Sequence, residues 1–85
     1  MLRIWARTMK NGKITRSYIY ESIDNFAENT IRKHIEKICH EIDIPTPILL
    51  KSHITNYVDF NSSTFLPRDF VESIDFDRFI IDKKN

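Results

Sequence analysis

Asn11-Gly12, set between two runs rich in β-branched and aromatic residues, constrains this chain more than any other pair of positions. A two-residue type I′ turn needs positive φ at both central positions, which Asn and Gly tolerate and most residues resist. Residues 1–20 therefore read as a β-hairpin. The loop length also sets a register: Lys10 opposite Lys13, Met9 opposite Ile14, Arg7 opposite Arg16, Trp5 opposite Tyr18, Ile4 opposite Ile19 and Arg3 opposite Tyr20. In that register one face carries Leu2, Ile4, Ala6 and Thr8 with Ile19, Ser17 and Thr15, small enough to lie under a helix. The other carries Arg3, Trp5, Arg7 and Met9 with Tyr20, Tyr18, Arg16 and Ile14, and is aromatic and basic.

After the hairpin, Asn25 and Glu28 have the spacing of a capping box. Ile31, Ile35, Ile38 and Ile42 then recur on one helical stripe, with Lys33, Glu36, Lys37 and His40 off it, which predicts an amphipathic helix over about residues 26–42. Ile44-Pro45-Thr46-Pro47 stops it, because proline lacks the helical donor and pushes its predecessor out of the α region. Ile48-Leu49-Leu50 is a short unbroken apolar run that suits a central strand, and a right-handed crossover would set residues 48–51 beside the first strand. Residues 52–64 fit two templates: Ile54, Tyr57 and Val58 make a helical face behind Ser52, while Ile54, Asn56, Val58 and Phe60 alternate like a strand. We read a short helix there, followed by a polar loop at Asn61-Ser62-Ser63-Thr64. Pro67 suits the first turn of another short helix. Residues 76–82 read as a final strand, with Phe76, Arg78 and Ile80 on one side and Asp77, Phe79 and Ile81 on the other. The expected fold is a single α+β domain over residues 1–85, two-layer β-β-α-β-(α)-β, with one amphipathic helix on one face of a mostly antiparallel sheet.

A chain of 85 residues with 41% hydrophobic and 29% charged residues is long enough for one modest core and too apolar for disorder. No apolar run is long enough to cross a bilayer, no secretory leader pattern is present, and a lone Cys39 fits a reducing compartment, so we expect a cytoplasmic protein. The net charge of +1 conceals an asymmetry. Arg3, Arg7, Lys10, Lys13 and Arg16 come without an acid in the first twenty residues, whereas Asp69, Glu72, Asp75, Asp77 and Asp82 crowd the end. Either the two ends pair inside the fold or the surface is divided by charge.

Catalytic chemistry finds little support. Cys39 sits at the edge of the apolar stripe and His40 points the other way, so they form no thiolate–imidazole pair. His34, Cys39 and His40 diverge too far to share a metal, and the acidic cluster matches no calcium loop. Gly12 is the only glycine, which leaves no glycine-rich phosphate loop. The expectation is a non-catalytic domain without cofactor or metal.

The hairpin's aromatic and basic face remains. Arg3, Trp5, Arg7, Arg16, Tyr18 and Tyr20 are residue types that anchor protein interfaces, which points to a protein partner or a homodimer. The same set can stack bases and meet phosphates, so single-stranded nucleic acid is the alternative ligand. Against both stands burial: Phe60, Phe65 and Phe70 need partners, and Arg7 opposite Arg16 needs an acid, which Asp75 or Asp77 can supply.

Three segments, Leu2-Arg3-Ile4-Trp5-Ala6, Asp43-Ile44-Pro45-Thr46-Pro47 and Asp69-Phe70-Val71-Glu72-Ser73-Ile74-Asp75-Phe76-Asp77, give the chain a resemblance to small proteins of Gram-positive anaerobic bacteria with no assigned activity. The resemblance implies a bacterial, cytoplasmic origin and carries over no functional residues.

Overall fold

The computed structural model describes residues 1–24, 27 and 30–84. Strands β1 (Leu2–Lys10) and β2 (Lys13–Ser22) form the hairpin, followed by helices α1 (Ile31–Glu41) and α2 (Lys51–Phe60), strand β3 (Ser62–Phe65), a 3-10 turn (Pro67–Asp69) and strand β4 (Arg78–Lys83). The sheet is four-stranded and antiparallel throughout, in the order β2-β1-β4-β3. The protein is a two-layer α+β domain, and its core lies between one sheet face and the two helices.

The turn is as the sequence requires, with φ of 52° at Asn11 and 78° at Gly12. The register is not. Lys10 pairs with Lys13 and Met9 with Ile14, but a bulge then inserts Thr15, so that Thr8 pairs with Arg16, Ala6 with Tyr18, Trp5 with Ile19 and Ile4 with Tyr20. One extra residue turns the rest of β2 over. Tyr18 and Tyr20 enter the helix-covered side and Ile19 leaves it, 40% exposed. Burying Tyr20 and part of Tyr18 in place of Ile19 and Ser17 removes more apolar surface from water. It also gives Tyr20 a buried partner, His34, whose Nδ1 shares a hydrogen bond with Tyr20 Oη at 2.7 Å. The bulge leaves no hydroxyl stranded: Thr8, fully buried, meets Thr15 Oγ1 at 2.7 Å.

Three further expectations change. Ile48-Leu49-Leu50 forms no strand; Ile48 and Leu50 are half exposed, and the segment is the extended approach to α2. β4, and not residues 48–51, lies beside β1, and the expected polar loop at 61–64 contains edge strand β3, with Ser63 and Phe65 turned to the core. Helix α1 is first helical at Ile31, behind a turn in which Ile31 N–H donates to the Ala27 carbonyl at 2.8 Å. The proposed cap at Asn25 and Glu28 lies outside the described residues. The α1 stripe does bury Ile31, Ile35 and Ile38, residues 52–60 are helical as read, and Pro67 opens the short turn.

Residue 15 is the pivot of the hairpin. Deleting Thr15 removes the bulge but keeps Tyr18 opposite Ala6 and Tyr20 opposite Ile4, so the core face survives and the cost is the stranded hydroxyl of buried Thr8; we expect a cooperative urea transition weakened by about 1–3 kcal/mol. Loss of the cooperative transition would show that the bulge itself, and not the face it selects, holds the hairpin.

Candidate protein-binding face and the groups the fold consumes

The two helices cover one side of the sheet only. The opposite side presents Arg3, Trp5, Arg7 and Met9 from β1, Ser17, Ile19 and Glu21 from β2, and Arg78, Ile80 and Asp82 from β4. Among the described residues no element packs over it. Six residues singled out from the sequence are thereby divided. Arg3, Trp5 and Arg7 share the open face, while Arg16, Tyr18 and Tyr20 lie on the helix side, Tyr20 buried at 5% exposure. The residues that replace them beside Trp5, namely Ile19, Ile80, Glu21 and Asp82, were invisible to a reading that lacked the bulge. The available signal was size, since Tyr18 and Tyr20 have more to bury than Ser17 and Ile19.

Trp5 is held from three directions. Its indole Nε1–H donates to Ser17 Oγ at 2.9 Å, the Arg7 guanidinium lies 4.0 Å from the ring centroid, and Lys84 Nζ approaches to 5.9 Å. Arg7 in turn donates to Asp82 Oδ2 at 2.5 Å, in a pair that is partly shielded from water. Arg3 Nε lies 2.9 Å from Glu21 Oε2. The two arginines flanking Trp5 thus already have carboxylate partners. Ile14, Ile19 and the partly buried Ile80 and Met9 complete an apolar surface. At its hairpin end a hollow of about 210 Å³, bounded by Met9, Gly12, Asp77, Arg78 and Ile80, is large enough for one side chain and smaller than an ordinary small-molecule pocket of about 300 Å³ or more.

Cys39 and the His53–Asp69 pair, the buried groups with catalytic potential, are used internally. Cys39 is fully buried, and desolvation pushes its thiol from 9.0 up to about 12 against a smaller opposing effect of a Thr46 hydrogen bond, so it carries no thiolate near neutral pH. His53 and Asp69 form a buried pair, Nε2 to Oδ2 at 3.3 Å, that resembles a catalytic dyad. His53 Nδ1, however, accepts the Leu50 backbone N–H at 2.9 Å, which fixes the hydrogen on Nε2 and leaves no free nitrogen to act as a base. Asp69 Oδ2 likewise accepts the Leu66 N–H at 2.8 Å. Each side chain ties down the start of its own helical turn, and the pair locks α2 to the 3-10 turn.

Asp75 lies 3.2 Å from Arg16, whose hydrogen bond and charge hold its carboxyl below the usual range, and Asp77 accepts the Asn11 N–H at 2.8 Å. A hollow of about 730 Å³ sets Arg32, Glu36 and His40 against Pro45, Thr46 and Pro47 and includes neither Cys39 nor the acidic cluster. Among the described residues no group of three or more His, Cys, Asp or Glu could hold a metal ion, and no helix is long and apolar enough to cross a membrane. No protein-family model, curated protein or solved structure matches the chain, so its function has to be argued from these contacts.

The buried thiol predicts alkaline behaviour. Because the folded state raises the Cys39 pKa above 9.0, its contribution to stability is complete below that pH and is lost as pH rises toward about 12. Burial raises Tyr57 in the same direction. Urea midpoints should fall between about pH 8 and about pH 10.5, and fall less in Cys39→Ala. An equal fall in both proteins would remove Cys39 as the cause.

Proposed function

We propose that the domain is a non-catalytic binding module that engages a protein partner through the open sheet face centred on Trp5. The observation that carries this reading is the pairing of Arg3 with Glu21 and of Arg7 with Asp82, which occupies the two arginines flanking Trp5 while Trp5, Ile19, Met9 and Ile80 stay available. A surface of this kind, apolar at the centre with charge pairs around it, is the composition of a protein interface. Trp5, with its ring position fixed by Ser17 and Arg7, loses little conformational freedom on binding and suits an anchoring role. The hollow beside Met9 and Ile80 accepts one apolar side chain from the other protein.

Single-stranded nucleic acid is the weaker reading. A phosphate would have to compete with Asp82 for Arg7 and with Glu21 for Arg3, and a base would have to displace the guanidinium already over the indole. Tyr18 and Tyr20, the other stacking candidates, belong to the opposite side of the sheet. The cytoplasmic, bacterial setting implied by the sequence is compatible with either ligand and forms part of this proposal.

The test is the fluorescence of Trp5, the only tryptophan, combined with site-specific photocrosslinking in cells. Emission should be indifferent to mixed-sequence single-stranded RNA and DNA at low salt. A photoreactive residue at Ile80 should give a discrete protein adduct that disappears with Trp5→Asp, while one at Val71, which is 86% exposed elsewhere, should not. Salt-dependent quenching by oligonucleotide would replace this reading with the nucleic-acid one.

A further inference from the structure

Strand β2 ends the sheet, so one side of its backbone has no strand partner among the described residues. At ten residues it is long for an edge, since strands average about five to six. Natural edges are ordinarily blunted by bulges and charges. Here the bulge at Thr15, with Lys13 and Arg16, guards only the first half; Arg16 through Ser22 runs in unbroken register against β1. Lys84 N–H donates to the Arg3 carbonyl at 2.9 Å and Asp77 N–H to the Met9 carbonyl at 2.7 Å, so the odd-numbered residues of β1 turn their backbone groups toward β4. By antiparallel alternation, their opposites on β2, Ser17, Ile19 and Glu21, turn theirs outward along the free edge.

We propose that this edge pairs with the same edge of a second copy, antiparallel about a twofold axis at Ile19. The regular stretch from Arg16 to Ser22 is centred on that residue. In this register Ile19 exchanges main-chain hydrogen bonds with Ile19 of the second copy and Ser17 does so with Glu21, each outward donor meeting an outward acceptor. One feature outside the backbone agrees with the same axis. On the open face Trp5 lies opposite Ile19, so pairing creates an unbroken apolar row, Trp5-Ile19-Ile19-Trp5, across the joined sheets. The occupant that matches hydrogen bonds and apolar row together is a second copy of this chain.

The experiment is sedimentation velocity from micromolar to near-millimolar concentration, on the full chain. The mass should rise to that of a dimer, and Ile19→Pro should hold it at monomer across the range. Ile19 uses its N–H only at the free edge, so proline there spares the β1 ladder; Ile19→Lys, judged folded by circular dichroism, gives the same answer should proline disturb the strand. Ile19→Cys should be joined to its copy by a short bis-maleimide crosslinker, because the paired Cα atoms stand about 5.5 Å apart, while Val71→Cys should not; Cys39 is buried and does not interfere. A monomer mass at every concentration overturns the proposal, as does a dimer that survives both Ile19→Pro and Ile19→Lys.

Discussion

The bulge at Thr15 is the constraint on which the rest of the structure depends. Strand side chains alternate, so a single inserted residue decides which half of β2 the helices can cover. With it, Tyr20 reaches His34 and anchors α1 over the hairpin, and Tyr18 closes the edge of the core. Without it, Ser17 and Ile19 would line a thinner core, and His34, 2% exposed, would face no Tyr20 hydroxyl. An unmet polar group at such a site costs roughly 1–3 kcal/mol. Packing outweighs the local preference of the Asn-Gly turn for an unbroken ladder.

The charge asymmetry along the sequence is resolved by topology. Setting β4 beside β1 brings the late acids to the early bases: Asp82 to Arg7 directly, and, from the segment before β4, Asp75 to Arg16 and Asp77 to the hairpin turn. Exposed pairs of this kind contribute little each. Their larger effect is on what the surface can bind, because an arginine held by a carboxylate is a poor phosphate ligand and still a good flat neighbour for an aromatic ring. His53 and Asp69 obey the same rule inside the protein, where both groups are consumed in holding two helical starts together.

Much of this was legible in the sequence. The hairpin turn, the isoleucine stripe of α1, the stop at Pro45, the helix over 52–60 and the alternation of Arg78 and Ile80 with Phe79 and Ile81 all follow from local periodicity or turn chemistry, although β4 begins only at Arg78 and Phe76, read on the Arg78 side, is buried ahead of it. What failed was non-local. A bulge has no sequence signature comparable to Asn-Gly, and it relocated Arg16, Tyr18 and Tyr20. The apolar run at 48–50 looked like a strand because periodicity cannot distinguish a buried strand from the approach to a helix that shields only part of it. β3 was hidden because Ser62, Ser63 and Thr64 are polar, yet pairing with β4 requires only backbone and one inward face. His53 and Asp69 are sixteen residues apart, a spacing that no motif marks.

The free edge and the open face are not independent. Strand spacing of about 4.8 Å puts the two Trp5 rings of the proposed dimer roughly 14 Å apart, three strands across one continuous surface. A partner with two matching apolar segments would then meet both at once, and the second contact would form at the effective concentration set by the first. Affinity of each single face could be modest and the assembly still firm. The charge on β2 fits the same division of labour: Lys13 lies before the bulge, outside the stretch proposed to pair, and Ser17, Tyr18 and Ile19 leave the centre of that stretch uncharged.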